Sequence, residues 1–189
     1  DVEDWCTWAI GAGLPATGIA FVRIRPQYLL DCAKPDHKIS TEIVAEACPR
    51  TVAEALRHEL EAESLGLDDN VLFILMAGAA GDAFATEYFA FRKLAKSLPD
   101  PLAILMNPTS AQIPDMTKPE GPGLAYAISV ALARVVNSQT LENALIYLER
   151  LNQAEYEAVM LKAAIQKDQS IAAAPAFLTW AAKNADLIV

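Results

Sequence analysis

The residues best placed to do chemistry are the four at 48–51, Cys-Pro-Arg-Thr. Proline at the first helical position, followed by residues with helical periodicity, predicts a helix that begins at Pro49. Arg50 then lies in the first turn, at the positive end of the helix dipole. An arginine there is disfavoured by about a few tenths of a kcal/mol unless an anion binds beside it. The sequence leaves two interpretations of Arg50, a solvated side chain or an anion ligand.

Cys48, directly before this helix, also has two interpretations. A helix N-terminus stabilises a thiolate, so Cys48 is a candidate reactive thiol. The favoured interpretation is structural, with Cys48 in the capping position that serine often occupies.

Glu87 is the second candidate, because it lies among the aromatic residues of a predicted helix. A buried carboxylate must be paired or hydrogen-bonded, and Arg92, Arg23, Arg25 or a helix N-terminus are candidate partners. A structural ion pair is favoured over a site acid. His37 and His58 lack metal-ligand spacing, so no metal site is expected.

The sequence contains no GxxxxGK[ST] phosphate loop, and its three cysteines lack CxxC spacing. The chain alone is therefore expected to have no catalytic machinery and no disulfide framework. A net charge of −9 argues against nucleic acid and anionic membranes as partners. The longest apolar runs, 71–81 and 124–133, are shorter than the roughly 20 residues of a membrane span. These features are typical of a cytoplasmic protein.

The hydrophobic pattern has the helical period almost throughout, which predicts an all-α bundle of about 8–10 helices in one or two lobes. Residues 71–76 could also form a strand, but helix is favoured. Ser40 is expected to cap a short helix that ends at about residue 47, and Asp82 to cap a later helix. The small residues at 77–81 are expected to allow close backbone approach. Four prolines within 107–122 indicate a long loop, so we expect lobes at 1–106 and 107–189. Because the sequence opens at Asp1 directly on a helical pattern, we expect a fragment of a longer chain.

Several segments, in this order along the chain, resemble the C-terminal region of MoxR-like AAA+ ATPases. The resemblance extends over nearly the whole sequence. It is carried by Asp-Trp-x-x-Trp-Ala at 4–9, Phe-Val-Arg-Ile-Arg-Pro at 21–26, Pro-Arg-Thr at 49–51, Gly-Asp-Ala-Phe-Ala-Thr-Glu-Tyr-Phe-Ala-Phe at 81–91, Leu-Pro-Asp-Pro-Leu-Ala-Ile-Leu at 98–105 and Pro-Ala-Phe-x-x-Trp-Ala at 175–181.

The resemblance implies a helical lid followed by a C-terminal extension. Arg50 would be the sensor-2 arginine, which reaches the γ-phosphate of a nucleotide bound to the ATPase core. The core, with ATP and Mg²⁺, would lie upstream of Asp1. Assembly into a homo-oligomeric ring and action on a client protein are also implied. A lid separated from its core is expected to show an exposed apolar patch.

Two alternatives remain from the sequence. The chain could be a free-standing helical adaptor that binds a partner between helices, with no role for Arg50 in nucleotide sensing. It could also be a small helical enzyme that uses Glu87, Glu142 or Glu149 together with an arginine.

Overall fold

A computed structural model of the chain describes residues 1–37 and 44–187. Within these ranges the chain forms eleven α-helices, three short 3-10 helices and no strand, which confirms the all-α class. Two compact units divide between Lys96 and Ser97, earlier in the chain than the boundary expected after residue 106. None of the described helices is both long enough and apolar enough to cross a membrane.

The first unit contains six of these helices. They are α1 (Val2–Gly11), α2 (Ala16–Ile24), α3 (Gln27–Leu30), α4 (Pro49–Leu65), α5 (Asp69–Ala80) and α6 (Asp82–Ala95). Their ends follow local chemistry: Asp1 forms a capping box with Asp4, and Gly66 ends α4 in the left-handed conformation, at φ 66°. Asp68 caps α5 through the backbone N–H groups of Asn70 and Val71, so residues 71–76 are helical as favoured.

An aromatic cluster fills the core between α2 and α6. The Phe21 ring lies 5.7 Å from the Phe84 ring and 5.5 Å from the Tyr88 ring, both edge-to-face. Leu56 of α4 approaches α2 so closely that a Cβ on Gly18 would lie 2.3 Å from its Cδ2 atom. Glycine at position 18 therefore allows α2 to pack against α4.

The second unit contains the remaining five helices. They are α7 (Pro101–Met106), α8 (Gly121–Val135), α9 (Leu141–Glu149), α10 (Ala154–Lys167) and α11 (Pro175–Lys183). α8 is the central helix and is buried along most of its length. The short helix α7 packs against α8 and α9, which explains why it belongs to this unit and why the boundary precedes it.

The predicted loop before α8 is held by side chains of α9 and its C-terminal cap. The Tyr147 hydroxyl donates to the carbonyl oxygen of Gln112 at 2.8 Å. Arg150 donates through Nη1 to the carbonyl oxygens of Pro108, at 2.8 Å, and Ala111, at 2.7 Å. The buried Tyr147 and the half-buried Arg150 thus satisfy backbone groups that have no regular helical partner.

Two local expectations change. Residues 44–48 are not helical, where the end of a short helix was expected, and its proposed cap Ser40 lies outside the described residues. Gly81 rather than Asp82 precedes α6 as its N-cap. Gly81 has φ 92°, and a Cβ there would lie 2.6 Å from the Ala45 carbonyl oxygen. The close backbone approach expected at 77–81 therefore occurs at Gly81.

Candidate functional site

The N-terminus of α4 is built by a capping box between Cys48 and Thr51. The Cys48 N–H donates to Thr51 Oγ1 at 2.9 Å, and the Cys48 thiol accepts from the Thr51 backbone N–H. Thr51 Oγ1 lies within hydrogen-bond distance of two alternative acceptors for its single hydrogen, the Glu46 carbonyl oxygen at 2.7 Å and Cys48 Sγ at 3.4 Å. Cys48 thus occupies the cap position, in agreement with the favoured structural interpretation.

The same contacts change the acidity of the Cys48 thiol. Partial burial acts to raise its pKa, but hydrogen bonds from the Thr51 hydroxyl and from the backbone N–H groups of Thr51 and Arg50 outweigh it, so the pKa is lowered. The pKa of Cys32 is raised, chiefly by burial and then by the neighbouring Cys48. Cys6 is buried. Cys48 therefore has the most reactive environment of the three thiols.

Arg50 is exposed in the first turn of α4 and forms no ion pair with another described residue. The backbone beside it is fixed from two directions. Trp5 Nε1 of α1 donates to the carbonyl oxygen of Pro49 at 3.2 Å, and Thr51 closes the capping box. The guanidinium group thus projects from an ordered turn. In this turn the Arg50 and Thr51 N–H groups bond to the Cys48 thiol, and the Val52 N–H bonds to the Cys48 carbonyl oxygen at 2.9 Å.

The expectation of a buried Glu87 is wrong. Its side chain is 48% exposed and pairs with Arg25, whose Nε lies 3.2 Å from Glu87 Oε2. Buried Phe84, Tyr88 and Phe91 define the inner face of α6, and Glu87 lies beside that face. An exposed pair of this kind adds little to stability.

The buried carboxylate of the first unit is Glu59 of α4, which is 3% exposed. Glu59 Oε1 accepts from Arg92 Nε at 2.5 Å, and Oε2 accepts from the Tyr88 hydroxyl. Arg92 also donates through Nη1 to Asp69 at 2.8 Å. This network joins α4, α5 and α6 and satisfies its buried polar atoms.

Burial and hydrogen bonding have opposite effects on the pKa values of the acids in this network. Burial raises the pKa of Glu59, while the hydrogen bonds from Tyr88 and Arg92 act to lower it. Hydrogen bonds from Arg92 and Lys96 lower the pKa of Asp69. The sequence contained a signal for Glu59, because Val52, Leu56 and Glu59 share the helical spacing of one buried face.

An apolar stripe runs along the outer face of α5. Val71, Ile74 and Leu75 follow the i, i+3, i+4 spacing and are all exposed, Ile74 to 68%. The opposite face of α5 packs into the unit through Leu72, Met76 and Ala80. The outer face of α5 therefore presents an exposed apolar surface.

The two other acids considered for catalysis, Glu142 and Glu149, line a cavity of about 600 Å³ in the second unit. A third carboxylate, Glu157, lines the same cavity, and sequence reasoning did not select it. No arginine is present among the described residues of the cavity wall, so the acid–arginine arrangement of the enzyme alternative does not form there.

Both histidines lie beside single carboxylates. His37 Nε2 lies 3.0 Å from Glu46 Oε2, and His58 Nδ1 lies 3.3 Å from Glu61 Oε2. Among residues 1–37 and 44–187, no three histidine, cysteine or acidic side chains group as metal ligands.

Comparison of the chain with protein-family models, with curated proteins and with solved structures finds no match.

Replacing Glu59 by glutamine should destabilise the first unit by about 3 kcal/mol, because Arg92 would lose a charged partner in a buried position. Urea unfolding measures the change. Glu63→Gln, an exposed position on the same helix, is the matched control and should stay within about 0.5 kcal/mol of the parent chain. Equal stability of the two variants would contradict the assigned role of Glu59.

Cys48 should be the first thiol alkylated by iodoacetamide near neutral pH. Its lowered pKa gives it a larger thiolate fraction than Cys32, whose pKa is raised. Peptide mass spectrometry after short exposures measures the order. Thr51→Val should slow the reaction of Cys48, since it removes the hydroxyl donor. Earlier labelling of Cys32 would be inconsistent with this environment.

Proposed function

We propose that the chain is the lid and C-terminal extension of a MoxR-like AAA+ ATPase, with Arg50 as its sensor-2 arginine. The observation that carries the proposal is the exposed Arg50 guanidinium in the ordered first turn of α4. The family resemblance assigns the nucleotide-sensing arginine to this same position.

The chemistry of this turn suits a phosphate ligand. The helix N-terminus supplies positive potential, which favours an anion. Arg50 adds a permanently charged, planar donor that can bind two phosphate oxygens at once. A phosphate of a nucleotide bound to the ATPase core would therefore compensate the repulsion between the Arg50 charge and the positive end of the helix dipole. In phosphoryl transfer, an arginine so placed stabilises charge on the transferred group.

The apolar stripe of α5 supports the same proposal from packing. Val71, Ile74 and Leu75 lie exposed on a helix whose other face is buried, as expected where a partner surface is absent. In the proposed assembly this partner is the ATPase core of the same protein or of a ring neighbour, and the second unit serves as a docking platform for a client. The three free thiols agree with the proposed cytoplasmic location.

Replacing Arg50 by alanine in the full-length gene product should slow ATP hydrolysis roughly 10- to 1,000-fold, since a charge-stabilising donor is lost. Steady-state phosphate release measures the rate, and circular dichroism should show unchanged helix content. Arg50→Lys should recover part of the activity, because the charge remains but the bidentate fork does not.

Arg57→Ala is the matched control, because Arg57 is exposed on the same helix and pairs only locally with Glu54 at 3.0 Å. This variant should hydrolyse ATP at the parent rate. Unaltered hydrolysis in Arg50→Ala would remove Arg50 from the site. It would also leave the helical adaptor, with α5 as its docking face, as the better description.

A further inference from the structure

The cavity of the second unit lies between α9, α10 and α11 and has a volume of about 600 Å³. Leu145, Ile146 and Pro175 supply apolar wall, and Glu142 and Glu149 supply exposed carboxylates. No residue of the first unit takes part, so conclusions about this cavity are independent of the role of Arg50.

Glu157 differs from the two other glutamates of the wall because it is only 7% exposed. Its Oε2 atom accepts a hydrogen bond from Nε1 of Trp180 on α11. Its Oε1 atom has no hydrogen-bond partner among the described residues. Every fully buried side-chain nitrogen or oxygen atom in the described chain has a partner, so Oε1 must reach accessible space. Glu157 is among the residues that line the cavity, which is accessible space beside its side chain.

The hydrogen bond to Trp180 does not explain why position 157 carries a carboxylate. An indole N–H needs one neutral acceptor, which an amide or a hydroxyl could also provide. The second oxygen forms no hydrogen bond, and the carboxylate forms no ion pair, with any described residue. A carboxylate that is largely withdrawn from water is disfavoured in its charged form unless a donor or a cation compensates it. Glu157 therefore has a largely buried carboxylate with one accessible oxygen, and Lys183 of the cavity wall acts on its charge without forming an ion pair.

Lys183 is the basic side chain of the cavity wall, and it forms no ion pair with any described carboxylate. The three glutamates therefore leave the wall with an excess of negative charge. Burial raises the pKa of Glu157, the Trp180 bond lowers it, Glu149 raises it and Lys183 lowers it, with a net upward shift. A cation that entered the cavity would stabilise the ionised form of Glu157.

We infer that this cavity binds an ammonium or guanidinium group on an aliphatic stem, with Glu157 Oε1 as the principal acceptor. The stem would pack against Leu145 and Ile146, while Glu142 and Glu149 attract the charge at the entrance. Two features favour an organic cation over a metal ion. The volume far exceeds that of one ion, and the three carboxylates are not grouped as metal ligands among the described residues.

Isothermal titration calorimetry of the whole chain with spermidine and with N-acetyl-arginine methylamide tests the inference. Saturable one-to-one binding is expected, with favourable enthalpy from the charge-assisted hydrogen bond. Tighter binding of spermidine would indicate a free polyamine as the natural ligand. Tighter binding of the arginine amide would indicate a side chain of a partner protein.

Glu157→Gln should weaken binding at least about tenfold, because it removes the charge but keeps an acceptor for Trp180. Glu149→Gln, at an exposed position, should weaken binding without affecting folding. Lys183→Met should tighten binding, since it removes a competing cation. Glu155→Gln is the matched control, because Glu155 is exposed on the same helix and lies outside the cavity wall. This variant should bind both probes with the affinity of the parent chain.

Three results would overturn the inference. The first is absence of saturable binding of both probes at millimolar concentrations. The second is equal affinity of the parent chain and of both the Glu157→Gln and Glu149→Gln variants. The third is displacement of the probes by Mg²⁺ or Ca²⁺ at lower concentrations than the probes themselves require, which would identify a metal site.

Discussion

Glu59 lies where the three longest helices of the first unit meet, and its two oxygen atoms are both hydrogen-bonded. One oxygen accepts from Tyr88 and the other from Arg92, which in turn bonds to Asp69 at the start of α5. Buried ion pairs are weak contributors to net stability, but removing one partner is strongly destabilising. The network therefore acts mainly as a geometric constraint, because α4, α5 and α6 must take positions that satisfy every member.

This constraint determines where the two candidate interaction features lie. Arg50 and Glu59 are on the same helix, nine residues apart, a rise of about 14 Å along the axis. Holding Glu59 in place therefore also fixes the direction in which the N-terminus of α4 points. Through Asp69 the network sets the rotation of α5, so that Leu72 and Met76 face inward and Ile74 faces outward. In the proposed lid, a rigid body of this kind would couple a nucleotide contact at Arg50 to the apolar stripe of α5.

The sequence was most informative where a residue's effect is local. Proline at position 49 predicts the start of a helix through its own backbone conformation, and α4 begins at that residue. Glu87 was placed in the core because aromatic residues surround it in sequence. Such residues occur on more than one face of α6, so neighbouring apolarity did not determine on which side Glu87 lies.

Glu59 was overlooked for the opposite reason, since α4 carries many charged residues that obscure its single buried acid. Only the spacing from Val52 and Leu56 distinguishes it from its neighbours. Glu157 could not have been chosen from sequence, because its importance depends on α11 bringing Trp180 against α10. The cavity likewise depends on the packing of three helices, and no short motif encodes that arrangement.

Reading the gene upstream of the codon for Asp1 is the most direct test of the proposed ATPase lid. The account predicts a GxxxxGK[ST] phosphate loop after a predicted strand, within about one domain length of Asp1. The same reading frame should continue from that loop into the helical pattern of α1. A start codon within a few residues of Asp1 would contradict the account, because Arg50 would then have no core of its own chain to sense.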